Sequence, residues 1–313
     1  MNSPINNEIL VVAPSGYETV IRLENLAGDY TECSSVYYQG GGHGGNIAFY
    51  LSNLHVSCAL FTQWGDDLPG LKAKETMLEA GVDISLCRVF PGKTSQSNFL
   101  INIGPVKKTI MNFGTALAVQ GGHVILPDMP KALYTSLLPV SPAFNLIKNV
   151  SKAPVEVVLG LQIPTSVTKS LGLTHEILEQ GLSYADHAIG SYSVAAEEFA
   201  TDLKPAQLVK WLQSQFPNLK TVVLTDGKRG SYAYAQGELL HQPAILVEEM
   251  DSTGAGDQFI AVFLKDYILS GVPLAAALER AAFYSALVSE KPGARVLVTD
   301  EDIDCLRKEQ GFD

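Results

Sequence analysis

The sequence predicts an α/β fold in which one mostly parallel sheet is covered by helices on both faces, and three observations lead there. Short continuous apolar runs, among them Ile9-Leu10-Val11-Val12-Ala13 and Thr221-Val222-Val223-Leu224-Thr225, have the character of strands buried on both faces. Stretches with helical spacing separate such runs along most of the chain, and that alternation builds parallel sheets. At 313 residues, 46% apolar and 18% charged, the chain is long enough to bury a sizeable core.

Taken in order, Ile9 to Ala13 is the first strand and ends at Pro14-Ser15-Gly16. Thr19-Val20-Ile21-Arg22-Leu23 and Ser34-Ser35-Val36-Tyr37-Tyr38 are alternating or β-rich, as in a small antiparallel flap off the main sheet. Gln39 to Leu51 follows, with five glycines in the six positions from Gly40 to Gly45 leading into an amphipathic helix. Such glycines let backbone approach a ligand, and Asn46 at the helix start offers donor and acceptor groups suited to sugar hydroxyls. The same residues would also serve as a turn with Asn46 as helix cap. His43 alone says little, since an isolated histidine is more often a bystander than a ligand or base.

Val56 to Thr62 is another buried strand, and Trp64 to Gly70 a loop leading into a helix over Leu71 to Ala80, closed by Gly81. Ser97 to Ile103 and Thr109 to Phe113 form a hairpin around Gly104-Pro105-Val106-Lys107-Lys108. The lysines at its tip are either edge-strand charges or phosphate-facing groups on a moving flap. From 124 to 160 the pattern is weak, apart from a strand at Val155 to Gly160. Beyond it a helix is expected over Leu171 to Tyr184, a short strand at His187 to Gly190, and helices at Val194 to Ala200 and Pro205 to Phe216. The strand Thr221 to Thr225 stops at Asp226-Gly227.

Ile245 to Val247, the glycines at 254 and 256, and apolar residues at 259, 260, 263, 264, 267 and 268 together predict strand, Gly-rich turn and helix. The N–H groups of Gly254, Ala255, Gly256 and Asp257 would then converge at a helix start. That end holds anions, with a benefit of roughly 0.3–1 kcal/mol per charge and up to about 2 when partly buried. A phosphate fits there, and Asp257 beside it would serve as proton acceptor. The bland alternative is a helix N-cap built from small residues.

A net charge of −11 opposes nucleic acid and anionic lipid, so neither partner is expected. The opening residues Met1 to Glu8 lack a basic n-region, and Ile9 to Ala13 is too short for a signal-peptide core or a membrane span. Cys33, Cys58, Cys87 and Cys305 show no paired spacing, which suggests buried thiols in the cytoplasm and neither a zinc site nor a disulfide framework. No fixed-period repeat or long linker is present.

With both Gly-rich stretches placed, the chain resembles the ribokinase-like (PfkB) carbohydrate kinases over nearly its full length. The resemblance rests on Gly41-Gly42-His43-Gly44-Gly45-Asn46-Ile47-Ala48 and on Asp251-Ser252-Thr253-Gly254-Ala255-Gly256-Asp257-Gln258-Phe259. Thr225 to Ser231 looks like the family's nucleotide strand and turn, and Ser289 to Arg295 like its adenine-side loop. It implies one three-layer α/β/α unit over residues 1–313 with a small β lid at about 17–40 and 95–115, transferring the ATP γ-phosphate to a sugar hydroxyl.

By carry-over, Asp257 is the general base, and the N–H groups of Gly254, Ala255, Gly256 and Asp257 stabilise the transferring phosphoryl group. The segment with Gly42, His43 and Asn46 matches sugar contacts, and Thr225 and Gly227 match nucleotide contacts. Asp251 and Thr253 match positions that hold a monovalent cation, potassium, in some members. ATP and Mg2+ are the implied cofactors, a small-molecule sugar the partner, and the lid the surface through which a homodimer would form. The chain also departs from the family pattern. Glu18 stands where an aspartate is usual, Ser191 and Val194 replace both functional side chains of an Asn-x-x-Glu motif, and Gly160 stands where an acid or amide is common. Those departures motivate an alternative, a catalytically weak homologue that binds sugar or nucleotide and regulates; a nucleoside kinase of the same family is another.

Overall fold

A computed structural model describes residues 7–25, 28, 30–103, 106–122 and 124–312. Its main sheet has eight strands, in the spatial order Glu238–Gln242, Ser231–Ala235, Thr221–Thr225, His187–Ser191, Glu156–Leu161, Ala132–Thr135, Ile9–Val12 and Cys58–Phe61. The six from Thr221–Thr225 to Cys58–Phe61 are mutually parallel, and an antiparallel hairpin closes the other edge. Period-two alternation divides each buried run between two cores. Ile9 and Val11 face the helices His43–Asn53, Ala255–Phe263 and Leu274–Ser289, while Leu10 and Val12 face Val140–Val150, His175–Leu182 and Pro205–Gln215. The architecture is therefore helix, sheet, helix.

Four lid strands stand off this sheet in the order Ser35–Gly41, Gly16–Leu23, Ser97–Ile103 and Val106–Ile110. The expected antiparallel pairing forms between Gly16–Leu23 and Ser35–Gly41, while Gly16–Leu23 and Ser97–Ile103 run parallel because a long crossover through the main sheet separates them, so the whole lid is mixed. Alternation turns Glu18 and Asn98 inward, where both are buried, and leaves Val36, Tyr38, Phe99 and Ile110 exposed.

Several expected boundaries move for local reasons. The hairpin's second strand starts at Val106, so Lys107 and Lys108 lie within it and point to opposite faces rather than marking a tip. Gly104 and Pro105 lie outside the described residues, as do Met1 to Asn6 and residues 26, 27 and 29. The helix expected from Leu71 begins at Leu68, because Asp67 caps it by accepting from Gly70 N–H at 3.2 Å and Pro69 is tolerated in the first turn. Of the helix expected over Leu171 to Tyr184 only His175–Leu182 forms; Gly172 at φ 90° ends a preceding turn and Thr174 starts the chain afresh as cap. The weakly patterned region contains Ala132–Thr135 and Val140–Val150.

Ile245 to Val247 forms no strand and pairs with none of the described strands. Nor are all the cysteines buried: Cys58 is, but Cys33 and Cys305 are exposed. No described helix is long and apolar enough to cross a membrane.

Candidate active site

The lid covers the carboxyl ends of the parallel strands, the edge at which open α/β sheets bind ligands. There the helix Ala255–Phe263 begins at Gly254, whose φ of 83° suits glycine, and a Cβ at Gly254 would lie 2.2 Å from the Ala294 carbonyl oxygen. Gly256 faces open space. One of the four expected donors is turned aside: Ala255 N–H donates to the Ser252 carbonyl at 3.2 Å. Those of Gly254, Gly256 and Asp257 have no backbone acceptor among the described residues, leaving three for an anion.

Asp257 is buried at this helix start and accepts a hydrogen bond from Asn46 Nδ2 at 2.8 Å. Burial, aided by the negative charge of Glu18, pushes its carboxyl up to about 7, against the lowering effects of Asn46 and Arg295. A carboxylate so placed exchanges its proton near neutral pH, as a general base requires. Asn46 is not a cap. The N-cap of His43–Asn53 is Gly42, and Asn46 lies a turn inside the helix, where Gly44 and Gly45 let the helix approach Ala13 and Ser15.

From the lid, Glu18 points at the same region. Its Oε1 accepts from Asn98 Nδ2 at 3.1 Å and from Gly42 N–H at 3.4 Å, and its Oε2 from Gln39 Nε2 at 3.2 Å. Two more buried polar side chains lie beside Gly42 and Gly45: Gln96 and Ser15, whose Oε1 and Oγ have no hydrogen-bond partner among the described residues. Unpaired buried oxygens of this kind are costly unless a ligand or water meets them. Sequence reasoning missed Ser15, Gln96, Asn98 and Arg295. Only Asn98 carried a signal, a polar residue at an inward position of a lid strand, in register with Glu18.

His43 is placed elsewhere. Its Nε2 lies 2.7 Å from Ser136 Oγ, and burial draws the imidazole down to about 4, so it is neutral. It borders a small cavity together with Ser136, Gly160 and Val194. Gly160 has a steric reason: any Cβ there would meet the Tyr134 hydroxyl at 2.1 Å. An amide nevertheless stands two residues on, because Gln162 lines a second pocket with Ser191, Thr225, Gly227 and Gly256.

Next to that pocket is a cleft of about 390 Å³ bordered by Thr225, Gly227, Ser252, Gly256 and Phe259, with Ile245 and its neighbours as an apolar wall. Thr225, Gly227 and the cradle are thus brought together. Asp251 is buried below. Its Oδ1 accepts from Thr253 N–H at 3.0 Å, Thr253 Oγ1 at 2.7 Å and the lid's Lys107 Nζ at 3.0 Å, and its Oδ2 from Gly293 N–H at 3.3 Å. Burial would raise the Asp251 carboxyl, but these donors hold it below the usual range.

A helix start with free N–H groups, a buried carboxylate beside it, a cleft on one side and a polar lid on the other are the parts of a small-molecule phosphotransferase. The sequence model of the pfkB family carbohydrate kinases matches residues 8–301, and the chain belongs to that family and its phosphotransferase class. An ATP-dependent ribose-1-phosphate kinase from Halopiger xanaduensis is 25% identical, over 96% of this chain and 98% of that protein. Among solved structures, the Arabidopsis thaliana ribokinase complexed with ribose and ATP is similar at a TM-score of 0.76 and 19% identity, covering 96% of this chain and 99% of its own. The Burkholderia thailandensis nucleoside kinase in complex with inosine is similar at 0.77 and 18%, covering 97% of each chain. The fold is that of the ribokinases.

Proposed function

We propose that this protein transfers the γ-phosphoryl group of ATP to a hydroxyl of a sugar, with Asp257 accepting the hydroxyl proton. The observation that carries this reading is the Asp257 carboxyl, poised near 7 between the free N–H groups of the cradle and the polar cluster under the lid. ATP would lie in the cleft with its phosphates at Gly254, Gly256 and Asp257, and the sugar between Glu18, Asn98 and Asn46. The hydroxyl oxygen bonds to phosphorus as the bond from the γ-phosphorus to the bridging oxygen breaks; ADP leaves with that electron pair, and Asp257 keeps the proton. Assaying ADP release over pentoses, hexoses, their phosphates and nucleosides tests this reading, and binding of a sugar with no turnover for any acceptor would favour the regulatory alternative. A nucleoside would fit the same site and is decided by the same panel.

Magnesium, when bound, neutralises phosphate charge. Ser191, Gln162 and Asp226 line the pocket beside the cradle and would meet it through water, since Mg2+ retains water ligands. Potassium fits less well at Asp251 and Thr253, because the carboxylate is engaged by four donors and the Lys107 ammonium already supplies a positive charge. We therefore expect turnover to need free Mg2+ beyond that bound to ATP, for want of a carboxylate at Val194, and to be unchanged when tetramethylammonium replaces potassium. Saturation without free Mg2+, or activity lost without potassium, would contradict the respective half.

The reading includes a cytoplasmic location and a homodimer through the lid. The exposed Val36, Tyr38, Phe99 and Ile110 would be the buried face. Sedimentation velocity should give twice the chain mass for the wild type and the chain mass for Tyr38→Asp; a monomeric wild type would refute the homodimer.

A further inference from the structure

The resemblance places the loop Ser289 to Arg295 on the adenine side, yet the Arg295 side chain runs the other way, into the sugar side of the site. Its Nε donates to Asn46 Oδ1 at 3.1 Å, its Nη1 to Thr76 Oγ1 at 3.0 Å and its Nη2 to the Gly41 carbonyl at 3.3 Å, and its guanidinium carbon lies 5.7 Å from the centre of the Phe49 ring. All three acceptors are neutral. Two of the glycines that precede Asn46 make this possible: a Cβ at Gly40 would lie 2.1 Å from Nη1, and one at Gly45 2.7 Å from Nη2. The backbone that carries Arg295 is itself held, because Ala294 N–H donates to Gln39 Oε1 at 3.2 Å and the Ala294 carbonyl accepts from Tyr50 Oη at 2.9 Å.

We propose that Arg295 is a positioning residue for the reaction proposed above, acting on Asp257 through Asn46. A guanidinium only donates, so the amide oxygen of Asn46 must face it and the amide nitrogen must face Asp257 Oδ2. That leaves Asp257 Oδ1 for the acceptor hydroxyl. Without Arg295 the amide could turn its oxygen toward the carboxylate, repelling the charge that the base needs.

The charges around Asp257 give Arg295 a second effect. Tyr50 of the same helix as Asn46, Glu18 of the lid, Tyr134 of the main sheet and Arg295 all interact with the Asp257 charge. Burial keeps both tyrosines neutral and Glu18 opposes ionisation, so among these groups Arg295 alone favours the carboxylate.

The test is Arg295→Met, read first by carbon-13 NMR titration of the Asp257 carboxyl without substrates. Losing a nearby cation and an ordered donor should raise the midpoint by about one pH unit. The acid limb of kcat/KM should move up with it, lowering activity at pH 7 by about fivefold more than at pH 9, where only the lower kcat left by an unanchored Asn46 amide remains. Arg295→Lys keeps the charge without the fork, so it should hold the midpoint near the wild-type value while kcat stays low, and it serves should the Met variant fail to fold. In a folded Met variant, an unmoved midpoint overturns the proposal, as does a loss of activity equal at every pH. For the Lys variant alone, full wild-type kcat overturns it. The titration needs no turnover, so with an inactive wild type the kinase reading fails and the catalytic role of Arg295 with it, while the midpoint still decides whether Arg295 sets the Asp257 charge.

Discussion

Asp257→Asn should lower turnover by about 10²–10⁴, the usual contribution of a positioned general base. Asparagine keeps the size of the side chain and an oxygen that can accept from Asn46 Nδ2, now at 2.8 Å from Asp257 Oδ2, but it cannot take a proton. Sugar affinity should change little, because Glu18 and Asn98 stay in place on the lid, and calorimetric titration would show that. The pH dependence gives a second signature. The acid form cannot accept a proton, so wild-type kcat/KM should fall as pH drops through about 7 and level off above it. In the variant that limb should vanish.

Gly254→Ala should come next in size, through geometry rather than chemistry. At φ 83° alanine is strained by about 1–2 kcal/mol, and its Cβ would sit 2.2 Å from the Ala294 carbonyl. That carbonyl is anchored by Tyr50, so the helix start must shift instead. Donors moved from a transferring phosphoryl group typically cost about 10²–10³ in turnover. Gly256→Ala is the control for stability, because none of the described residues lies within 4 Å of its added Cβ. It should melt like the wild type but weaken nucleotide binding, as its methyl would project into the cleft. Equal turnover for Gly254→Ala and wild type would show that the cradle does not hold the reacting group.

The parts of this site that were readable in the sequence are those whose geometry is local. Gly254 to Asp257 forms a helix start from adjacent residues, and Asn46 follows its glycines directly. Glu18 follows from the resemblance, one residue ahead of the strand expected from Thr19, and alternation in the observed strand turns it inward. Arg295 was not readable, because its partner Asn46 is 249 positions away and only the packed fold brings them together. Gly160 looked like a gap in the polar middle of the site, whereas the ring of Tyr134 from the neighbouring strand occupies that space. Ile245 to Val247 has strand composition yet pairs with none of the described strands, and composition alone does not report pairing.

The most direct measurement is a rapid-quench assay of transfer from γ-labelled ATP to the best acceptor of the panel, run in a single turnover with wild type and Asp257→Asn. The account predicts that label appears on the acceptor with the wild type, and at a rate about 10²–10⁴ lower with the variant while both bind acceptor alike. Label transferred at the same rate by both proteins would contradict it.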